Sequence, residues 1–260
     1  MPVFRELPRA GTALTWQDMA AASRYAVTSD SSFAAAFARW LSVEQVWVVS
    51  SGRAALCLIL RALAERSSRR EVIVPDYTCP TVPLAVARAG LQVRLCDVDP
   101  ATGNLDPRRL AQAVGDETLA VVPVHMHGIP CDMRAILAVA RQHGVFVVED
   151  CAQAAGATLD GRKVGTFGDA AFFSLGWGKG FTAYEGGIGR IADCGLWIAD
   201  YRSQAAEGLV EALTIAKLLA WRCFSIPGYT GRFGPCRWGG ATRCTIWILL
   251  LAGWGTSGRG

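Results

Sequence analysis

Lys179 stands as a single lysine in Phe172-Phe-Ser-Leu-Gly-Trp-Gly-Lys179-Gly-Phe-Thr-Ala-Tyr-Glu-Gly-Gly187. An amine set among glycines and aromatic rings is partly desolvated, which favours the neutral form that condenses with a carbonyl. A solvated surface lysine is the plainer reading of the segment taken alone. Asp150 closes the apolar run Val145-Phe-Val-Val-Glu-Asp150, where an isolated carboxylate is costly unless it meets a cation or a donor. It could equally cap the segment that follows. Gln153, three residues on, offers an amide to the same place or to solvent. Ser50-Ser51-Gly52-Arg53 is a small-residue turn into a helix, and free N–H groups at a helix N-terminus suit a phosphate. Ordinary α/β turns have the same look. His125 and His127 lie two apart and, on a strand end, would face the same way, which invites a metal. No third ligand cluster accompanies them. His125 reads instead as a residue behind the site or facing a substrate, and His127 as a loop histidine.

These residues need elements to carry them. Strands are expected at 45–50, 71–75, 91–97, 119–124, 145–150, 170–174 and 187–191, from β-branched runs bounded by polar turns. Helices are expected at 33–41, 53–65, 106–114 and 132–143, the last stopped by Gly144. Thr78 is placed to cap a further helix with Pro80 in its first turn. Strands alternating with helices imply crossovers and a mostly parallel mixed sheet flanked by helices. Ligands of such sheets sit beyond the carboxyl ends of the strands. The polar clusters at 50–52, 76–78, 125–127 and 150–153 all follow strands and should converge on one edge.

Composition narrows the class. Across 260 residues, 52% are apolar and 18% charged, with a net charge of +4. That permits a sizeable core and gives no case for nucleic-acid or membrane binding. The nine cysteines are scattered, odd in number and without zinc spacing, as for reduced thiols in a cytoplasmic protein. The N-terminus has no secretory pattern, and Ile246 to Ala252 is far short of the roughly 20 residues of a membrane span.

Taken jointly, the motifs resemble the DegT/DnrJ/EryC1/StrS family of aminotransferases over about Val43 to Asp193. They run in order as Ser51–Leu56, Val74–Thr78, Asp97–Pro100, Asn104–Asp106, Pro123–Gly128, Glu149–Ala154, Gly161–Asp169, Phe173–Ser174, Lys179 and Glu185–Gly187. The resemblance implies the large domain of a pyridoxal 5'-phosphate (PLP) transferase of fold type I. It implies that Lys179 holds the cofactor as a Schiff base and moves the proton. It further implies that Asp150 pairs with the pyridine nitrogen and Gln153 bonds the phenolic oxygen. Ser174, with the amides of Gly52 and Arg53, would bind the phosphate. The implied reaction carries an amino group, commonly from glutamate, to the ketone of a nucleotide-linked sugar, in a homodimer. No metal is implied. A histidine replaces the lysine in the dehydratase-like branch, and Lys179 argues against that branch.

Three departures from the family stand out. The aromatic residue that stacks on the cofactor ring is replaced by Cys79, with Tyr77 two residues earlier as the substitute. The lysine is preceded by Gly176-Trp177-Gly178, and Tyr184 replaces a usual glycine before Glu185. The chain is short, which implies that the C-terminal small domain is truncated or absent. The expected organisation is an N-terminal helical segment at 1–40, the PLP-binding domain at 41–221, and an atypical tail at 222–260. The tail's Trp, Arg, Gly and Cys bias fits a frameshifted end or the remnant of a small domain. A catalytically impaired PLP-binding homologue is the alternative this allows.

Overall fold

The computed structural model describes residues 31–176, Lys179 and residues 185–192. The expected tail at 222–260 and most of the expected N-terminal segment lie outside the described residues. Of that segment, helix α1 (Ser31–Leu41) is described.

Seven strands form one sheet: β1 (Trp47–Val49), β2 (Glu71–Pro75), β3 (Gln92–Cys96), β4 (Thr118–Val121), β5 (Phe146–Asp150), β8 (Ala170–Ser174) and β9 (Gly187–Ile191). Their order across the sheet is β1-β9-β8-β5-β4-β2-β3. The pairs β2/β3, β2/β4, β4/β5 and β5/β8 are parallel. Strand β9 runs antiparallel to both β8 and β1, so β1 again points with the rest. A two-stranded ribbon, β6 (Thr158–Leu159) with β7 (Arg162–Lys163), lies outside this sheet. The expected parallel sheet is observed, and its four polar clusters do follow strands that run the same way.

Helices cover both faces. Successive side chains of a strand alternate faces, and β5 divides its residues accordingly. Val148 joins the core formed with Leu56, Ile59, Leu60 and Leu63 of α2 (Gly52–Ala64) and Val82 and Val86 of α3 (Thr81–Arg88). Val147 joins the opposite core, with Leu110 of α4 (Pro107–Ala113) and Met133, Ile136 and Ala140 of α5 (Met133–His143). Helix α1 packs further along that second face, where Phe37 meets Phe173 edge-on at 5.2 Å between ring centroids.

The helix starts follow their caps. The side chains of Ser51, Asp106 and Asp132 accept N–H groups at the first turns of α2, α4 and α5, and Gly144 ends α5 with φ 62°. Thr78 does not cap α3, correcting the expectation. That helix starts at Thr81 with Pro80 before it and no side-chain cap, and the buried Thr78 hydroxyl has no hydrogen-bond partner among the described residues. The chain is still turning at Thr78, because Val82 N–H bonds to Cys79 O before the helix begins. Among the described residues, no helix is long and apolar enough to cross a membrane.

Candidate active site

The carboxyl edge gathers the expected residues from five strands. Asp150 ends β5, and its backbone is pinned on one side by bonds to Pro123 and His125. Its side chain falls on the α2 face and is 4% exposed. Oδ1 accepts the N–H of Ala152 at 2.9 Å, and among the described residues no other hydrogen bond reaches the carboxylate. Burial pushes the carboxyl up to about 6, and the Ala152 N–H and the charges of Lys179 and His125 pull it part of the way back. A desolvated, half-satisfied carboxylate of this kind fits a cationic or N–H-bearing partner.

Lys179 is half-buried, its N–H bonded to Gly176 O at 3.2 Å, and its charge is felt at Asp150. Ser174 ends β8, with Oγ accepting Gly176 N–H at 3.3 Å. The start of α2 lies directly against it: a Cβ on Gly52 would come within 3.2 Å of Ser174 Cβ. Gly187 must likewise lack a side chain, since one would run into the Ser51 backbone, and Ser51 bridges to Gly186. Two glycines thus let a helix N-terminus and a serine share one small cup. Arg53 follows Gly52 in the first turn and is exposed.

Gln153 and Tyr77 line the same edge. Tyr77 is 52% exposed, lying near the ring of His127 and close above Gly103. Gln153 is exposed, its side chain touching the His127 N–H and Met126 Sδ. Cys79, at the expected stacking position, is exposed beside the hydroxyl of Thr81.

His125 is placed differently from the substrate-facing alternative. Its side chain has no exposed surface, Nδ1 accepts the N–H of Cys131 at 3.0 Å, and Nε2 bonds Glu149 Oε2 at 3.1 Å. Because an N–H can only donate, the ring proton lies on Nε2. Both nitrogens are engaged inside the protein, so this histidine does not face a substrate.

Glu149 is a further residue of this edge, beyond those expected from the sequence. Its buried carboxylate accepts the N–H groups of Gly165, Phe167 and Gly168 at 2.7–2.8 Å as well as the His125 ring. Arg190, also buried, donates to the carbonyls of Gly165 and Gly168 from the far side, and burial lowers its pKa. Together they fix the loop entering β8. The signals in the sequence are the motifs Glu149–Ala154 and Gly161–Asp169, which hold the carboxylate and the loop it binds. His125, Glu149 and Cys151 lie close enough to suggest a metal, but the histidine nitrogens and both Glu149 oxygens are already taken. Burial drives the Cys151 thiol well above its ordinary range and Cys131 to about 12, so neither supplies a ready thiolate.

Comparisons with known proteins identify the family and the fold. The profile of the DegT/DnrJ/EryC1/StrS aminotransferase family matches residues 24–197. GDP-perosamine synthase of Caulobacter vibrioides is 41% identical over 156 residues, 60% of this chain and 42% of that protein. L-glutamine:2-deoxy-scyllo-inosose aminotransferase of Streptomyces lividus is 36% identical over 196 residues, 72% of this chain and 46% of that one. In structure, an aminotransferase from Psychrobacter cryohalolentis superposes with a TM-score of 0.68 at 29% identity, covering 82% of this chain and 64% of that one. A sugar aminotransferase from Micromonospora echinospora gives 0.66 at 31%, covering 72% and 55%. The chain spans less than half the length of these curated relatives. It belongs to the DegT/DnrJ/EryC1/StrS aminotransferase family.

Proposed function

We propose that this chain forms the cofactor-binding part of a PLP-dependent aminotransferase that acts on a keto-sugar nucleotide or a similar carbonyl compound. The observation that carries the reading is Asp150: a buried carboxylate holding one hydrogen bond, on the sheet face where α2 begins, with the charge of Lys179 acting on it. The cofactor fits these residues. A protonated ring nitrogen is the partner Asp150 lacks, and the cup of Gly52, Arg53 and Ser174 matches a phosphate through helix N–H groups and a hydroxyl. Relatives named for perosamine and scyllo-inosose chemistry support a sugar-like acceptor.

When bound, PLP supplies the electron sink for the substrate's carbanion. The protein's part is positional and electrostatic. Asp150 keeps the ring nitrogen protonated, which a desolvated carboxylate does strongly because no water competes for it. Lys179 Nζ would hold the cofactor and, as a free amine, would give and take the proton at the substrate. Gln153 would donate its amide to the phenolic oxygen, and Tyr77 would take the ring-facing role left by Cys79. Glutamate as donor, a homodimer as the working unit and a cytoplasmic setting complete the proposal on the family resemblance.

The test is the donor half-reaction. Purified full chain loaded with PLP is mixed with glutamate, and 2-oxoglutarate is counted per site. One equivalent from the wild type and none from Asp150→Asn is the expected result. Loaded wild type that releases none would refute the aminotransferase reading.

A further inference from the structure

The orientation of Gln153 is set by its neighbours. Its Oε1 accepts the backbone N–H of His127 at 3.2 Å, and its Nε2 lies 3.5 Å from Met126 Sδ. A backbone N–H only donates, so the atom facing it is the amide oxygen and the NH2 end turns elsewhere. A thioether is a weak acceptor. The NH2 group is therefore held loosely, and a ligand oxygen would take it over.

His127 presents its N–H from a left-handed backbone, φ 54° and ψ 22°, in the short helical turn Met126–Gly128. A side-chain-bearing residue adopts this conformation only when its surroundings impose it. Asn104 does so from both ends of the turn: Oδ1 accepts Met126 N–H at 3.0 Å and Nδ2 donates to Ile129 O at 3.0 Å. Asn104 is 4% exposed and comes from the loop after β3. Its backbone N–H is itself held by the Thr102 hydroxyl at 3.2 Å.

We propose that Asn104 is a positioning residue: it sets the Met126–Gly128 turn so that His127 N–H fixes the Gln153 amide with its NH2 end free for the ligand. The inference rests on the reading that Gln153 donates to the cofactor's phenolic oxygen. A buried asparagine thereby acts on the site through the backbone of one turn and one side chain.

Two measurements separate this proposal from the reading beneath it. In the ligand-free full chain, hydrogen exchange at the His127 amide should speed up roughly tenfold in both Asn104→Ala and Gln153→Ala, the loss of about one hydrogen bond. With PLP added, each variant should bind it roughly 3- to 10-fold more weakly and displace the visible absorbance band in the same direction. The double variant should match Gln153→Ala, because the two act in series. Asn104→Asp, which keeps the acceptor and loses the donor, carries the same test if the alanine variant does not fold. Unchanged exchange at His127, or effects of Asn104→Ala that add to those of Gln153→Ala, would overturn the proposal while leaving the cofactor reading intact. Exchange as expected with no visible band in the wild type would overturn the cofactor reading, and with it the purpose assigned to Asn104.

Discussion

Glu149 and Asp150 are neighbours on one strand, both carboxylates and both buried, yet they face opposite ways and live differently. Glu149 accepts four hydrogen bonds, from three backbone N–H groups and the His125 ring. Asp150 accepts one among the described residues, from Ala152. A buried anion surrounded by donors is architecture: it ties the loop at 165–168 to the end of β5, and the fold uses all of its bonding capacity. A buried anion left half-satisfied costs stability, and a protein carries that cost where a ligand will complete the set. On the proposed reading, the difference separates what holds the sheet edge from what works on it.

Substitutions can break this contrast. The largest effect is expected for Glu149→Ala, which strands three N–H groups and a histidine in the interior. Denaturant unfolding should show a loss of about 3–5 kcal/mol, and a loss below about 1 kcal/mol would mean the network is not what holds the loop. Asp150→Asn should do the reverse in the ligand-free protein. Its folded-state pKa is raised from 3.8 to about 6, so the ionised group opposes folding. That penalty is absent below about pH 4, grows through the interval up to about 6 and is complete above it. The variant should therefore gain about 1–3 kcal/mol above pH 7 and nothing near pH 3, read from unfolding curves across pH. A gain that does not depend on pH would point to packing instead. The smallest effect belongs to Ser51→Ala. It removes the bond to Ala54 N–H at the start of α2 and should cost about 1 kcal/mol by thermal or denaturant unfolding.

The order of strands and helices was legible because apolar runs, caps and stops agree locally. Glu71–Pro75, Ala170–Ser174 and Gly187–Ile191 are strands over the expected residues, and Gly144 stops α5 as expected. The ribbon β6–β7 was missed because two-residue strands carry no periodicity. Its turn did leave a signal, since Asp160-Gly161, with φ 51° and 75°, is a favoured hairpin pair. The edge where the polar clusters meet followed from parallel strands, whereas the direction of individual side chains did not. His125 sits in a recognisable motif, but nothing local says that its ring turns inward to Glu149 rather than outward. The backbone partners of Glu149 lie 16–19 residues downstream, and such a bond is fixed only when β8 pairs with β5. For Thr78 the preference of threonine for a helix start lost to Pro80, which disfavours helical backbone at Cys79, and the helix begins two residues later than expected.

On the proposed reading, Lys179 and Asp150 work as one site. The most direct test is to load the full chain with PLP, reduce it with borohydride, digest it and locate the labelled peptide by mass. The cofactor is predicted on Lys179, with labelling much reduced in Asp150→Asn and unchanged in amount per folded protein in Ser51→Ala. Label on another lysine, or undiminished label on Lys179 without the Asp150 carboxylate, would contradict it.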